Sequence, residues 1–176
     1  VRLGLATGPS MQERARAARL AALAGAAAAA GRPWLLLGHH RGDQAETLLF
    51  RALRGSGPGG LAAMAPARDG GAALLLRPLL GVAPAALEAV LIEAGLTPVR
   101  DPSNLDPRFA RIRLRQALAD PGGTGPGIAA LGAAATAFAA RRGRASAALA
   151  ARLALAAEIR PEGFARIHPT ALGRDA

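Results

Sequence analysis

The stretch Trp34-Leu35-Leu36-Leu37-Gly38-His39-His40-Arg41-Gly42-Asp43-Gln44-Ala45-Glu46-Thr47 decides how this chain is read. Its first four residues form an unbroken apolar run, the pattern of a short strand buried on both faces in a parallel sheet. Polar and glycine residues follow. Asp43 then stands as candidate N-cap of a helix, with Glu46 at the third position beyond it, the spacing of a capping box. Leu48, Leu49 and Leu53 carry the helix to Arg54, and Gly55 stops it. A strand that turns directly into a helix is the unit of an open α/β sheet, and such sheets bind ligands beyond the carboxyl ends of their strands.

Working outward, Ser10 and Glu13 have capping-box spacing for a preceding helix that runs to about Ala30, with Leu20 and Leu23 on its buried side. Gly31 and Pro33 end it. Residues 1–7 alternate weakly, as a strand or its remnant does. Downstream, residues 55–60 read as a glycine-rich loop, 74–76 as a second buried strand, and 84–94 as a helix ended by Gly95. Residues 97–101 read as short and extended, and 107–119 as a basic segment. Residues 121–127 form a Pro/Gly linker, and 128–159 are alanine-rich and helical, read as two helices that break near Gly143. The division is an α/β domain over 1–118, a linker over 119–127 and a helical extension over 128–176.

Composition narrows the function classes. Apolar residues make up 51% and aromatic ones 3%, so a core here is built from small side chains. All 22 basic residues are Arg, against 12 acidic ones, for a formal charge of +10. Such a surplus of guanidinium groups suits a polyanion partner. A GC-rich genome would also favour Arg over Lys, but it leaves the net charge unexplained. With no Cys, disulfides and thiolate metal sites are excluded. The longest apolar run, residues 21–30, is too short to cross a bilayer, and a cytoplasmic protein without membrane contact is expected.

The strand-to-helix junction carries the chemistry. The free N–H groups and positive dipole end of the second helix suit a nucleotide phosphate, with Gly38, His39 and His40 as candidate nucleotide-binding residues. Asp43 has three readings: a plain N-cap, an oxygen ligand for magnesium, or a group that orients a nucleophile. His39 reads as a nucleotide contact, a proton shuttle or a structural residue. A transition-metal site is disfavoured, because the third His, His168, is distant in sequence.

The same residues resemble a known family. Gly38-His39-His40-x-x-Asp43-Gln44-Ala45-Glu46-Thr47 is similar to the HHxxDQAET signature of tRNA(Ile)-lysidine synthetases, which belong to the N-type ATP-pyrophosphatase (PP-loop) group. The likeness continues in order. Ala15-Arg16-x-x-Arg19 is similar to ARxxRY, and Leu53-Arg54-Gly55-x-Gly57-x-x-Gly60-Leu61-x-x-Met64 to LLRGxGxxGLxxM. Arg77-Pro78-Leu79-Leu80 corresponds to RPLL. Asp101-Pro102-Ser103-Asn104 with Arg111-x-Arg113-x-Arg115 corresponds to DxSN…RNxxR. Two departures stand out: Ile112 replaces the Asn of RNxxR, and Leu20 replaces the Tyr of ARxxRY.

The resemblance implies a Rossmann-like adenylating domain with a helical extension. The implied substrates are ATP with magnesium, free lysine and a tRNA(Ile) with a CAU anticodon. ATP would activate the wobble cytidine at its carbon-2 oxygen, and the lysine ε-amine would then displace AMP. It implies catalytic roles for Asp43, His39, Arg77, Arg111 and Arg115. It implies tRNA contacts for Arg16, Arg19, Arg54, Asn104 and Arg113. The alternating Arg111, Arg113 and Arg115 spread over more than one helix face, so two of the three are expected to face the site. The family's SGGxDS phosphate loop is absent from this sequence. It is expected upstream of Val1, with the segment alone inactive and its open sheet edge prone to pair with a second copy. Two other classes remain: a non-catalytic RNA-binding module derived from such an enzyme, and a tRNA-thiolating PP-loop enzyme, which the lack of Cys places last.

Overall fold

A computed structural model of the chain describes residues 11–99 and 110–173. Residues 1–10, which hold the expected first strand and Ser10, lie outside the described residues, as does the Asp101–Asn104 motif. The elements are α1 (Met11–Ala29), β1 (Trp34–Leu36), α2 (Arg41–Ala52), α3 (Pro58–Leu61), β2 (Ala67–Asp69) and β3 (Leu74–Leu76). They continue with α4 (Pro84–Glu93), α5 (Ala110–Leu118), α6 (Pro126–Ala156), β4 (Ala157–Ile159) and β5 (Ala165–Ile167), followed by a 3₁₀ turn at Pro169–Leu172.

The fold is mixed α/β. β1 and β3 pair in parallel, with Trp34 opposite Leu74 and Leu36 opposite Leu76. A parallel pair needs a crossover, and α2 lies within that crossover. β2 joins the other side of β3 antiparallel, giving the order β1-β3-β2. β4 and β5 form a separate antiparallel hairpin.

The core is small and made largely of Ala. Leu48 of α2, Ala63 and Ala135 of α6 are buried together, with Leu131 and Ala134 packed against them. α6 therefore lies directly on the α2–α3 layer. The segment between α5 and α6 is pinned at several points. Asp120 accepts hydrogen bonds from the N–H groups of Thr124 and Gly125. The Gly122 carbonyl accepts from Ala85 N–H, and the Gly123 carbonyl accepts from the Arg41 side chain at 2.7 Å.

Several expectations are corrected. β1 is not buried on both faces: Trp34 and Leu36 are 60% and 65% exposed, and only Leu35 is half-covered. At α1 the buried position is Ala24, while Leu23 is exposed, because a residue without a side-chain stem lets the helix approach closely. Residues 55–60 are not all loop, since Pro58 pre-sets φ for the first turn of α3. The alanine-rich region is one helix that continues through Gly143, where the helix propensity of the surrounding Ala and Arg residues outweighs one Gly. That helix ends at Ala156, so residues 157–159 are strand and not helix.

Candidate functional site

The site forms where β1 ends and α2 begins. His40, not Asp43, is the N-cap of α2. Its Nδ1 accepts from Asp43 N–H at 3.4 Å, and the Asp43 carboxylate accepts from His40 N–H at 3.0 Å. The capping box is thus present, shifted by three residues from the sequence expectation. Imidazole can accept like Asp or Ser, and the Asp43 carboxylate sits in the first turn, where the helix dipole favours it. Gln44 fixes the next loop: its amide donates to Met64 O at 3.0 Å and accepts from Met64 N–H at 2.8 Å.

α5 lies along α2 in the opposite sense. Arg115 reaches the start of α2, bonding both oxygens of Glu46 and coming within 3.6 Å of Asp43 Oδ1. Arg111, one turn earlier, lies near Phe50 toward the end of α2, 6.0 Å from the ring centroid. Arg111 and Arg115 thus share one face of α5. Arg113 is exposed and is engaged in an interaction of its own.

His39 is half-buried at the end of β1. The Arg16 guanidinium lies against it, with Nη2 to Nε2 at 2.8 Å. Guanidinium only donates, so Nε2 carries the lone pair and Nδ1 the proton. That Nδ1 is buried without a hydrogen-bond partner among the described residues. Burial lowers the His39 pKa from its usual value; Asp43 opposes this, and Arg16, Arg77 and Arg111 add to it. His39 is therefore a neutral ring among cations. Arg16 feels the same crowding: burial lowers its pKa first, then Arg111 and Arg19, with Arg68 also contributing.

The other expected residues are placed as follows. Arg77 is 6% exposed at the end of β3 and donates to Ala65 O at 2.8 Å. Its charge reaches His39, yet its side chain is part of the scaffold. Arg19 is exposed on α1 beside Arg16. Arg54 lies over the Phe50 ring at 4.6 Å. Gly38 is exposed, and a Cβ there would meet nothing within 4 Å. Asn104 is outside the described residues.

Sequence reasoning read Glu46 only as a capping residue. In the fold it is a buried carboxylate, 4% exposed, held by Arg115. The signal was its place three residues after Asp43, on the same helix face. Arg41, Phe50 and Arg68 were also missed. A small concavity of about 30 Å³ beside the helix start is lined by His40, Gly42, Glu46 and Arg115, among others. Among the described residues no group of three or more His, Cys, Asp or Glu is placed to hold a metal ion. Glu46 is engaged by Arg115 through both oxygens, and Asp43 Oδ1 is the less committed carboxylate oxygen. The described residues do not cage a metal by themselves, whereas one brought by a phosphate ligand needs only one or two carboxylates.

A parallel strand pair, a helix opening past the strand end and a ring of arginines there define an α/β domain with a cationic mouth. The chain belongs to the PP-loop domain family, whose model matches residues 4–121. It is similar to the tRNA(Ile)-lysidine synthase of Novosphingobium aromaticivorans, 50% identical over 122 residues, covering 68% of this chain and 37% of that protein. It is similar to the tRNA(Ile)-lysidine synthase of Xanthomonas campestris pv. campestris strain 8004, 54% identical over 109 residues, or 62% and 25% of the two. The likeness to the tRNA(Ile)-lysidine synthase of Bordetella pertussis extends over 171 residues at 42% identity, 95% of this chain and 50% of that protein. The chain spans half or less of the length of these curated relatives. No described helix is long and apolar enough to cross a membrane.

Proposed function

We propose that this chain forms part of a tRNA(Ile)-lysidine synthase: an ATP-dependent ligase that joins lysine to carbon 2 of the wobble cytidine in a tRNA(Ile) with a CAU anticodon. The observation that carries this reading is the ring of Arg16, Arg77, Arg111 and Arg115 around neutral His39 and the Asp43 carboxyl group at the strand end. In this reading residues 1–118 belong to a Rossmann-like adenylating domain, and 128–176 to a helical extension beyond the 119–127 linker. The protein works in the cytoplasm. Exposed Trp34 and Leu36 on β1 support pairing with a second copy.

The chemistry asks for negative charge to be met at the α-phosphate, and preorganised guanidinium groups meet it without reorganisation. Arg16 and Arg111 stand at the open side, where phosphate or tRNA can reach them. Arg77 acts from within, through its field. Arg19, Arg54, Arg113 and Asn104 are assigned to the tRNA surface. His39 accepts from Arg16, so it positions that guanidinium beside the nucleotide held at Gly38 to His40. Asp43 would supply one oxygen to a magnesium ion arriving with ATP, or attract the lysine ammonium. Magnesium would neutralise phosphate charge when bound.

The test is lysidine formation by the complete protein carrying Asp43→Asn or Asp43→Ala. Asn keeps an acceptor for His40 N–H and removes the charge, so folding should hold while product formation falls by about two orders of magnitude. Undiminished product from both variants, with tRNA, lysine and ATP saturating, would remove Asp43 from the mechanism. RNA binding without any product from the unaltered complete protein would leave a binding module instead.

A further inference from the structure

Phe50 lies on α2, the helix that carries Asp43 in its first turn, and has two arginines against its ring. It sits in the last turns of α2, half-buried. The Arg54 guanidinium lies over its ring at 4.6 Å from the centroid, and that of Arg111 at 6.0 Å. Both arginines are exposed. Arg111 also contributes to the potential at Arg16 and at His39. One side chain thus links the ring to the site.

The neighbourhood makes the stack firm. Arg51, on the next position of the same helix, is turned away and donates to the carbonyls of Gly60 and Ala63, both at 2.9 Å. Arg142 of α6 donates to the Gly59 carbonyl at 3.4 Å. Two arginines therefore tie down the glycine turn, while Arg54 and Arg111 are left lying on an aromatic ring. Arg54 at 4.6 Å lies well within cation–π reach of the ring and Arg111 at 6.0 Å at its outer limit, and a guanidinium held over a ring leaves its far side free for another planar group. Cation–π contact holds it there without consuming its hydrogen-bonding edge. A flat cation held this way suits an unpaired base, which stacks on it while the guanidinium edge meets the adjoining phosphate.

We infer that Phe50, Arg54 and Arg111 form a stacking platform for an unpaired RNA base next to the one that enters the His39–Asp43 mouth. This rests on the proposed RNA substrate and goes beyond it by naming the feature recognised: an unstacked base and not the phosphate backbone alone. Paired RNA keeps its bases in the helix and offers the platform only charge. Arg54 and Arg111 act here as planes, so their charge alone is insufficient. Phe50 is a positioning residue.

The experiment measures binding of an anticodon stem–loop RNA and of a fully paired RNA with the same phosphate count. It compares the unaltered protein with Phe50→Leu and Arg54→Lys across a salt series. Phe50→Leu keeps the apolar bulk, and Arg54→Lys keeps the charge. Both should weaken stem–loop binding by about fivefold or more, the scale of one lost base stack. Paired RNA should bind as before, with an unchanged salt slope for both ligands. Circular dichroism and thermal midpoints of the variants confirm that they fold. Equal weakening for both RNAs, or none for either, overturns the platform while leaving RNA binding intact. No binding of either RNA by the unaltered protein would instead overturn the proposed function.

Discussion

Arg115 grips both carboxylate oxygens of Glu46 and at the same time stands 3.6 Å from Asp43 Oδ1. One guanidinium thus joins α5 to the first turns of α2. The hydrogen bond to Glu46 raises the Arg115 pKa against the opposing effect of burial. Glu46 is nearly inaccessible, so loss of its cation would strand a buried carboxylate. Arg115→Met is expected to lower stability by about 2 kcal/mol, below the range for fully buried pairs because the Arg side chain is 42% exposed. Glu46→Gln combined with Arg115→Met should recover part of that loss. A denaturant double-mutant cycle measures both. Additive effects would mean that the two side chains do not act as a pair.

His39 makes folding sensitive to mild acid. Burial lowers its folded-state pKa below the ordinary 6.5. Between the folded and unfolded values the unfolded chain binds more protons, so the stabilising contribution is present above about pH 6.5 and is lost as pH falls toward the folded value. Protonation also takes the Nε2 lone pair from the Arg16 contact and adds a cation beside three arginines. Thermal midpoints measured from about pH 7.5 to 5 should therefore fall, and more steeply than for His39→Gln. Parallel curves for the two proteins would rule out His39 as the origin.

The β1–α2 junction was legible because two periodicities meet there: an apolar run, then a helix with apolar positions at 48, 49 and 53. The helix ends read at about Ala30, Arg54 and Ala94 lie close to the observed Ala29, Ala52 and Glu93, because Gly31, Gly55 and Gly95, which stop the helices, all adopt positive φ. The cap was misassigned to Asp43 because His is a less common cap than Asp, although its ring nitrogen accepts equally well. β2, with Arg68 outward and paired only to β3, has no apolar alternation to announce it. The break expected at Gly143 came from composition, which does not register the helix former on either side. At the site, residue types and spacing were readable, but the Glu46–Arg115 pairing joins positions 69 apart and exists only once α5 lies on α2.

The connection between α5 and α6 is expected to be intolerant of one added methyl group. Gly123 adopts φ +64, and a Cβ there would come within 2.6 Å of Pro84 Cδ. Its carbonyl holds Arg41 at the start of α2, so a shift here moves the helix that presents Asp43. Gly123→Ala should cost about 1–3 kcal/mol through strain and the closed ring of Pro84, which cannot move aside. Gly122→Ala is the control, since its Cβ would meet Ala85 at an ordinary 3.6 Å. Chemical denaturation should separate the two variants clearly. Equal midpoints would show that the segment adapts freely.

Gly143 offers the opposite case. It lies within α6 and is exposed, and a Cβ there would meet nothing within 4 Å. Its φ is not in the left-handed region, so Ala fits the backbone as it stands. Gly143→Ala removes conformational freedom from the unfolded chain and gains helix propensity, together about 0.5–1 kcal/mol. The melting temperature should rise by a few degrees, with helical ellipticity unchanged in the native state. Stability gained here is independent of the site, so the proposed RNA affinity should be the same in both proteins. A fall in melting temperature would mean that the helix bends at Gly143 in solution, and that the two-helix reading of residues 128–159 was the better one.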